Sequence, residues 1–188
     1  MSSQVNKVIQ ELGELSRRLG VLERELSSAG KIFLSRIEKD KYEIARLLGR
    51  LEEICSEASS RSAFTVEFYD VVSRLVAIYR DVVSGFYEVY NVLNLIYQCV
   101  VAVRDLVFRI RDLLSSREFE LFCREYFEEC SSVVDCVRNV ASLLLSTIDR
   151  IDGVVRELSR GAEHLKEIEG RIRGFRVRVT VPSRFVLL

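Results

Sequence analysis

A single proline in 188 residues leaves long stretches of chain without the residue that most reliably breaks a helix. Histidine is as scarce. His164 is the sole one, so a histidine-based metal site or nucleophile–histidine pair within one chain would have to use it. No cysteine lies within a turn of it, and its place beside an apolar seam suits a structural histidine. The five cysteines, Cys55, Cys99, Cys123, Cys130 and Cys136, form no C-x-x-C pair, and a zinc site needs four converging ligands. Glycine-rich phosphate loops are absent as well. No catalytic, metal or cofactor site is therefore expected, and an enzyme is not.

Net charge is also missing. Twenty-eight basic and 28 acidic residues balance, so the whole molecule has no field drawing it to nucleic acid or anionic membrane, and any such attraction must be local. Met1 to Gln10 holds one lysine and no apolar run, so no signal peptide is expected and the location is read as cytoplasmic. Gln and Asn together number seven, and 23 arginines stand against five lysines, a bias that resembles a heat-adapted proteome. An odd number of scattered cysteines argues against a secreted disulfide framework. Cys123 and Cys130 sit seven apart on an apolar seam, where they read as small core residues, with an internal disulfide as the alternative.

What the chain has is heptad periodicity. Phe68, Val72, Leu75, Tyr79, Val82, Phe86, Val89, Leu93, Ile96, Val100, Val103, Val107, Ile110 and Leu114 alternate at spacings of four and three without a charge. The pattern predicts a helix of nearly fifty residues packed lengthwise on others. One flank of this seam carries Val71, Ile78, Gly85, Val92, Cys99, Leu106 and Leu113, and the other Tyr69, Val76, Val83, Tyr90 and Tyr97. Two flanks call for two neighbours. Ser84, Glu88, Asn91 and Gln98 form one narrow polar strip, the mark of a mostly buried helix with one wet edge rather than a transmembrane span.

An earlier seam runs from Val5 to Phe33 and resumes at Ile37, reaching Ala58, with one extra step of four between the parts. Such a stutter is tolerated in one continuous helix. The alternative is a hairpin turning at Ser27 to Gly30 or at Arg36 to Lys41, where Asp40 occupies a seam position. This helix has the narrowest stripe and reads as peripheral. Its Gly13 and Gly20 read as outer-face residues that loosen the helix. A third seam runs from Phe119 through Cys123, Tyr126 and Cys130 to Ile172 and predicts another helix of over fifty residues. Ser59 to Ser62 and Ser115 to Arg117 separate the three, with Ser115 and Glu118 spaced as a capping box.

The expected fold is all-α, an elongated antiparallel bundle of three long helices, or four if the first segment is a hairpin. Residues 1–174 form the bundle domain and 175–188 a basic, apolar tail. Phe175 to Val181 alternates strictly before Pro182 and reads as a short strand. Val101 and Phe108 lie outside the middle seam and mark a possible dimer patch.

The tail is the best functional candidate. Arg171, Arg173, Arg176, Arg178 and Arg184 come with no acid among them, and Val177, Val179, Val181 and Phe185 add an apolar side. The leading reading is a non-enzymatic scaffold or adaptor that self-associates, as a homodimer, and presents these residues to a protein partner. A second is nucleic-acid binding through the same arginines. In outline the helical pattern also resembles the long helical hairpins of the ESCRT type, which implies a membrane-remodelling filament. Those families carry a basic first helix, whereas here Lys7, Arg17, Arg18 and Arg24 are offset by Glu11, Glu14, Glu23 and Glu25.

Overall fold

A computed structural model describes residues 2–57 and 66–178. They are helical almost throughout, in four helices with no strand among the described residues: α1 (Ser2–Glu57), α2 (Val66–Leu114), α3 (Arg117–Glu125) and α4 (Phe127–Arg178). The serine-rich segment Ser59 to Ser62 lies outside the described residues.

The first segment is one helix. α1 passes through both suggested turns and through the stutter at Phe33 to Ile37, because an insertion of four only shifts the stripe slightly around an α-helix. The third expected helix, in contrast, is two. Tyr126 has φ −131° and ψ 69°, ending α3, and α4 begins at the next residue. Ser116, not Ser115, caps α3: its Oγ accepts from the Phe119 N–H at 3.1 Å while donating to the Leu113 carbonyl at 2.7 Å. At the far end α4 continues to Arg178, so the first four residues read as a strand, Phe175 to Arg178, are helical. Extending an existing helix adds one hydrogen bond per residue fixed, whereas a lone strand gains none. Val179 to Val181 lie outside the described residues.

The chain divides into two compact units, Met1–Ala29 with Val89–Val155, and Gly30–Glu88 with Arg156–Leu188. In the first unit Val5, Phe119 and Val133 form a buried cluster, joined by Ile9, Leu113, Leu114, Phe122, Cys123 and Cys130. Glu11 pairs with Arg109 at 3.6 Å and Glu23 with Arg150 at 3.4 Å. The stretch of α1 in this unit therefore runs antiparallel to α2 and parallel to α4. In the second unit Leu47, Leu51, Ile54 and Val71 form the buried cluster. Phe33 meets Phe86, and Arg36 pairs with Asp81 at 3.6 Å and Arg50 with Glu67 at 2.7 Å. Gly30 faces Leu158 and Gly161 faces Leu34, so the helix directions are the same here.

In both units α1 touches α2 and α4, contrary to its reading as peripheral. Of the buried apolar side chains among the described residues, thirteen belong to α1, seven to α2 and four to α4. A narrow stripe is what a helix needs when its neighbours press onto one seam, and Val5, Val8, Leu12, Leu19, Leu22 and Leu26 are all at most 5% exposed. Burial at that level stabilises by roughly 1.5–3 kcal/mol per side chain.

Candidate interaction surface

The packing of α1 leaves part of α2 uncovered. The α2 side chains that pack inward are Val71, Val89, Ile96, Cys99, Val103, Leu106 and Ile110, half of the seam together with one of its flanks. The second flank and the middle of the other half of the seam face outward, while Val72 and Leu114 at its ends pack on the buried clusters. In the second unit this outward set comprises Tyr69, Val76 and Tyr79, between 48% and 70% exposed, with Val83 half-buried beside them; Val72 packs on the buried cluster and Phe86 on Phe33. In the first unit it comprises Tyr90, Tyr97, Val100 and Val107, between 38% and 68% exposed, with Leu93 half-buried. The expectation of one wet edge on α2 is thereby corrected. Ser84, Glu88, Asn91 and Gln98 are exposed, and so is an apolar stripe beside them.

The outward residues keep the same alternation of three and four as a packed seam. Each stretch is thus shaped to receive the side chains of another helix. Tyrosine is suited to such a place, because its ring gives contact area while its hydroxyl stays in water or bonds a partner. Phe108 is exposed and Val101 half-buried, and the Arg111 guanidinium lies 5.0 Å from the Phe108 ring centre. In α4, Leu143, Leu145 and Ile148 are exposed as well. Both α2 and residues Phe127–Glu163 of α4 are long and apolar enough to cross a membrane by length and composition.

The charged groups mostly pair with one another at the exposed surface. Asp70 and Arg74 pair at 3.1 Å, Arg109 reaches across to Glu11, and Asp105 meets its neighbour Arg104. In the second unit a surface groove of about 380 Å³ is lined by Arg46, Arg50, Arg74, Glu53, Glu67 and Asp70 among others. Its arginines are already held: Arg46 by Glu43, Arg50 by both Glu53 and Glu67, Arg74 by Asp70. The Arg46 guanidinium holds the Glu43 carboxyl below its usual range, and the two glutamates raise Arg50 further above its own. Among the described residues no three His, Cys, Asp or Glu side chains converge as metal ligands.

The Cys123 and Cys130 side chains are joined in a disulfide, with their Cα atoms 5.1 Å apart. This replaces their reading as separate small core residues. Cys99 is a free, buried thiol and Cys136 a free, exposed one. Arg171, Arg173, Arg176, Val177 and Arg178 fall on the last two turns of α4. Val179, Val181, Arg184 and Phe185 lie outside the described residues.

No model of a known protein family, no curated protein and no solved structure matches the chain.

Proposed function

We propose that this chain is a non-enzymatic helical scaffold that self-associates as a homodimer and serves as an adaptor between proteins. Its framework is an antiparallel arrangement of the three long helices α1, α2 and α4. The observation that carries the reading is the outward apolar stripe of α2, with Tyr79 at 70% and Tyr97 at 68% exposure. Leaving such heptad-spaced surface in water is unfavourable at roughly 25 cal/mol per Å², and a second copy of the same helix offers matching spacing. The test is analytical ultracentrifugation of the wild type beside a Tyr79→Glu/Tyr97→Glu variant. A wild type that sediments as a monomer at about 100 µM, well above the range of most specific complexes, would refute self-association.

The C-terminal segment from Arg171 to Phe185 is the proposed adaptor element. A pull-down comparing the full chain with one ending at Gly174 tests it, since a partner captured equally by both does not use the tail. Nucleic-acid binding by the same arginines predicts affinity that falls steeply as salt rises, and gel-shift titrations at two salt concentrations check it. The membrane-filament reading draws on the exposed apolar residues of α2 and α4. It requires co-flotation with liposomes.

A further inference from the structure

The joint between α3 and α4 holds two features that belong to different conformations. Phe119, Cys123, Tyr126, Cys130 and Val133 continue one heptad seam, which is the pattern of an unbroken helix. In such a helix residues seven apart are separated by about 10.5 Å along the axis, beyond the roughly 7 Å that a disulfide can span. The Cα atoms of Cys123 and Cys130 stand 5.1 Å apart and their sulfurs are bonded. Bridge and continuous helix therefore exclude one another, and the bridged chain is broken at Tyr126.

We infer that Cys123 and Cys130 form a redox-gated joint: the disulfide enforces the break at Tyr126, and reduction lets α3 and α4 close into one helix. The hydrogen-bond ladder is already complete on either side. The Tyr126 N–H donates to the Phe122 carbonyl at 2.8 Å, and the Cys130 N–H to the Tyr126 carbonyl at 3.0 Å. Phe127, Glu128 and Glu129 are the first turn of α4, where N–H groups have no acceptor within their own helix. Closure would give them the carbonyls of Cys123, Arg124 and Glu125.

The open form has its own support. Arg124 lies in the last turn of α3, and Glu128 and Glu129 lie in the first turn of α4; each suits the dipole of the terminus it occupies. Both cysteines are only half-buried, so a small thiol reductant can reach the bridge. The break also presents Tyr126 at 50% and Phe127 at 78% exposure, and closure would return Tyr126 to its seam position. The joint thereby couples redox state to apolar surface.

The chemistry is a thiol–disulfide exchange. A thiolate of a small dithiol attacks one cysteine sulfur, breaking the S–S bond and forming a mixed disulfide. The second thiol of the reductant then displaces that cysteine, leaving two protein thiols and an oxidised, cyclic reductant. Two electrons and two protons pass to the protein.

Amide hydrogen exchange at Phe127, Glu128 and Glu129, read by NMR before and after addition of dithiothreitol to the full chain, tests the joint. Thiol alkylation and mass spectrometry verify the bridge in each sample. Exchange at these three amides is expected to slow by about tenfold or more on reduction, and a Cys123→Ser/Cys130→Ser variant to show the slow rates with or without reductant. Unchanged exchange in a protein proven to be reduced would overturn the inference. So would alkylation of both thiols in protein equilibrated with oxidised glutathione, or a redox response that persists in the double variant.

Discussion

Asp40 is the residue where sequence position and environment conflict most directly. It occupies a seam position on α1, and burial pushes its carboxyl up from the usual aspartate range. Asp81 on α2 pushes in the same direction, while Lys39 and Arg36 oppose it. A carboxyl whose folded-state pKa is raised binds its proton more tightly when folded than when unfolded. Its ionised form therefore penalises the fold at neutral pH, and the penalty fades as the pH falls through the raised value toward the unfolded one, 3.8. Asp40→Asn is expected to raise the urea midpoint at pH 7, and to raise it less near pH 4. Parallel urea titrations at the two pH values check this.

Three glycines make a second residue-scale contrast. A Cβ added at Gly13 or Gly20 would meet nothing within 4 Å, in agreement with their reading as outer-face residues. Gly13→Ala and Gly20→Ala should each stabilise by about 1 kcal/mol through helix propensity and a less flexible unfolded chain. At Gly85 the added atom would lie 3.1 Å from Phe33 Cδ2, and Phe33 is 4% exposed with its ring against Phe86. Gly85→Ala should lower stability despite the same gain in propensity. Chemical denaturation of the three variants measures both signs.

At the scale of elements, α1 and α2 exchange the roles that their stripes suggest. Leu26, fully buried on α1, should cost about 2–5 kcal/mol when changed to alanine. Leu145, 63% exposed on α4, should cost within about 0.5 kcal/mol. Thermal unfolding of both variants at low protein concentration separates these values. Leu26 and its neighbours on the seam were readable as core from spacing alone. The exposure of Tyr69, Tyr79 and Tyr97 was not, because spacing shows that a side chain is apolar and aligned without showing which helix covers it. A signal was nevertheless present: tyrosines recur along that flank, and a residue with a hydroxyl to satisfy is a poor filler for a dry interior.

For the molecule as a whole, self-association makes a prediction that a monomeric bundle does not. A dimer that dissociates on unfolding is stabilised by mass action, so its midpoint of thermal unfolding rises with protein concentration. Scans of the wild type from about 1 to 100 µM should show that rise, and the Tyr79→Glu/Tyr97→Glu variant should not. Balanced charge, 28 basic against 28 acidic residues, sets up no whole-molecule repulsion between copies. The assembly should accordingly depend weakly on salt, unlike any contact made through the tail arginines.

Periodicity is a local property, and what it reports was determined by the sequence alone: an all-α chain, long helices, and helix termini near Leu114 and Ser116, whereas the stutter left the first segment as one helix or a hairpin until the structure showed α1 continuous. The N-cap shifted by one residue because neighbouring serines are chemically alike, and the geometry of the Phe119 N–H selects between them. Tertiary structure decided what local spacing cannot encode. It placed α1 against both α2 and α4 in each unit, since coverage depends on which distant segments pack together rather than on stripe width. It broke the third seam at Tyr126, because a covalent link between two seam residues requires a separation that no unbroken helix provides. It also turned one of the two adjacent apolar stripes of α2 outward, for a helix can satisfy two stripes only with neighbours on both sides, and within each unit α1 covers one.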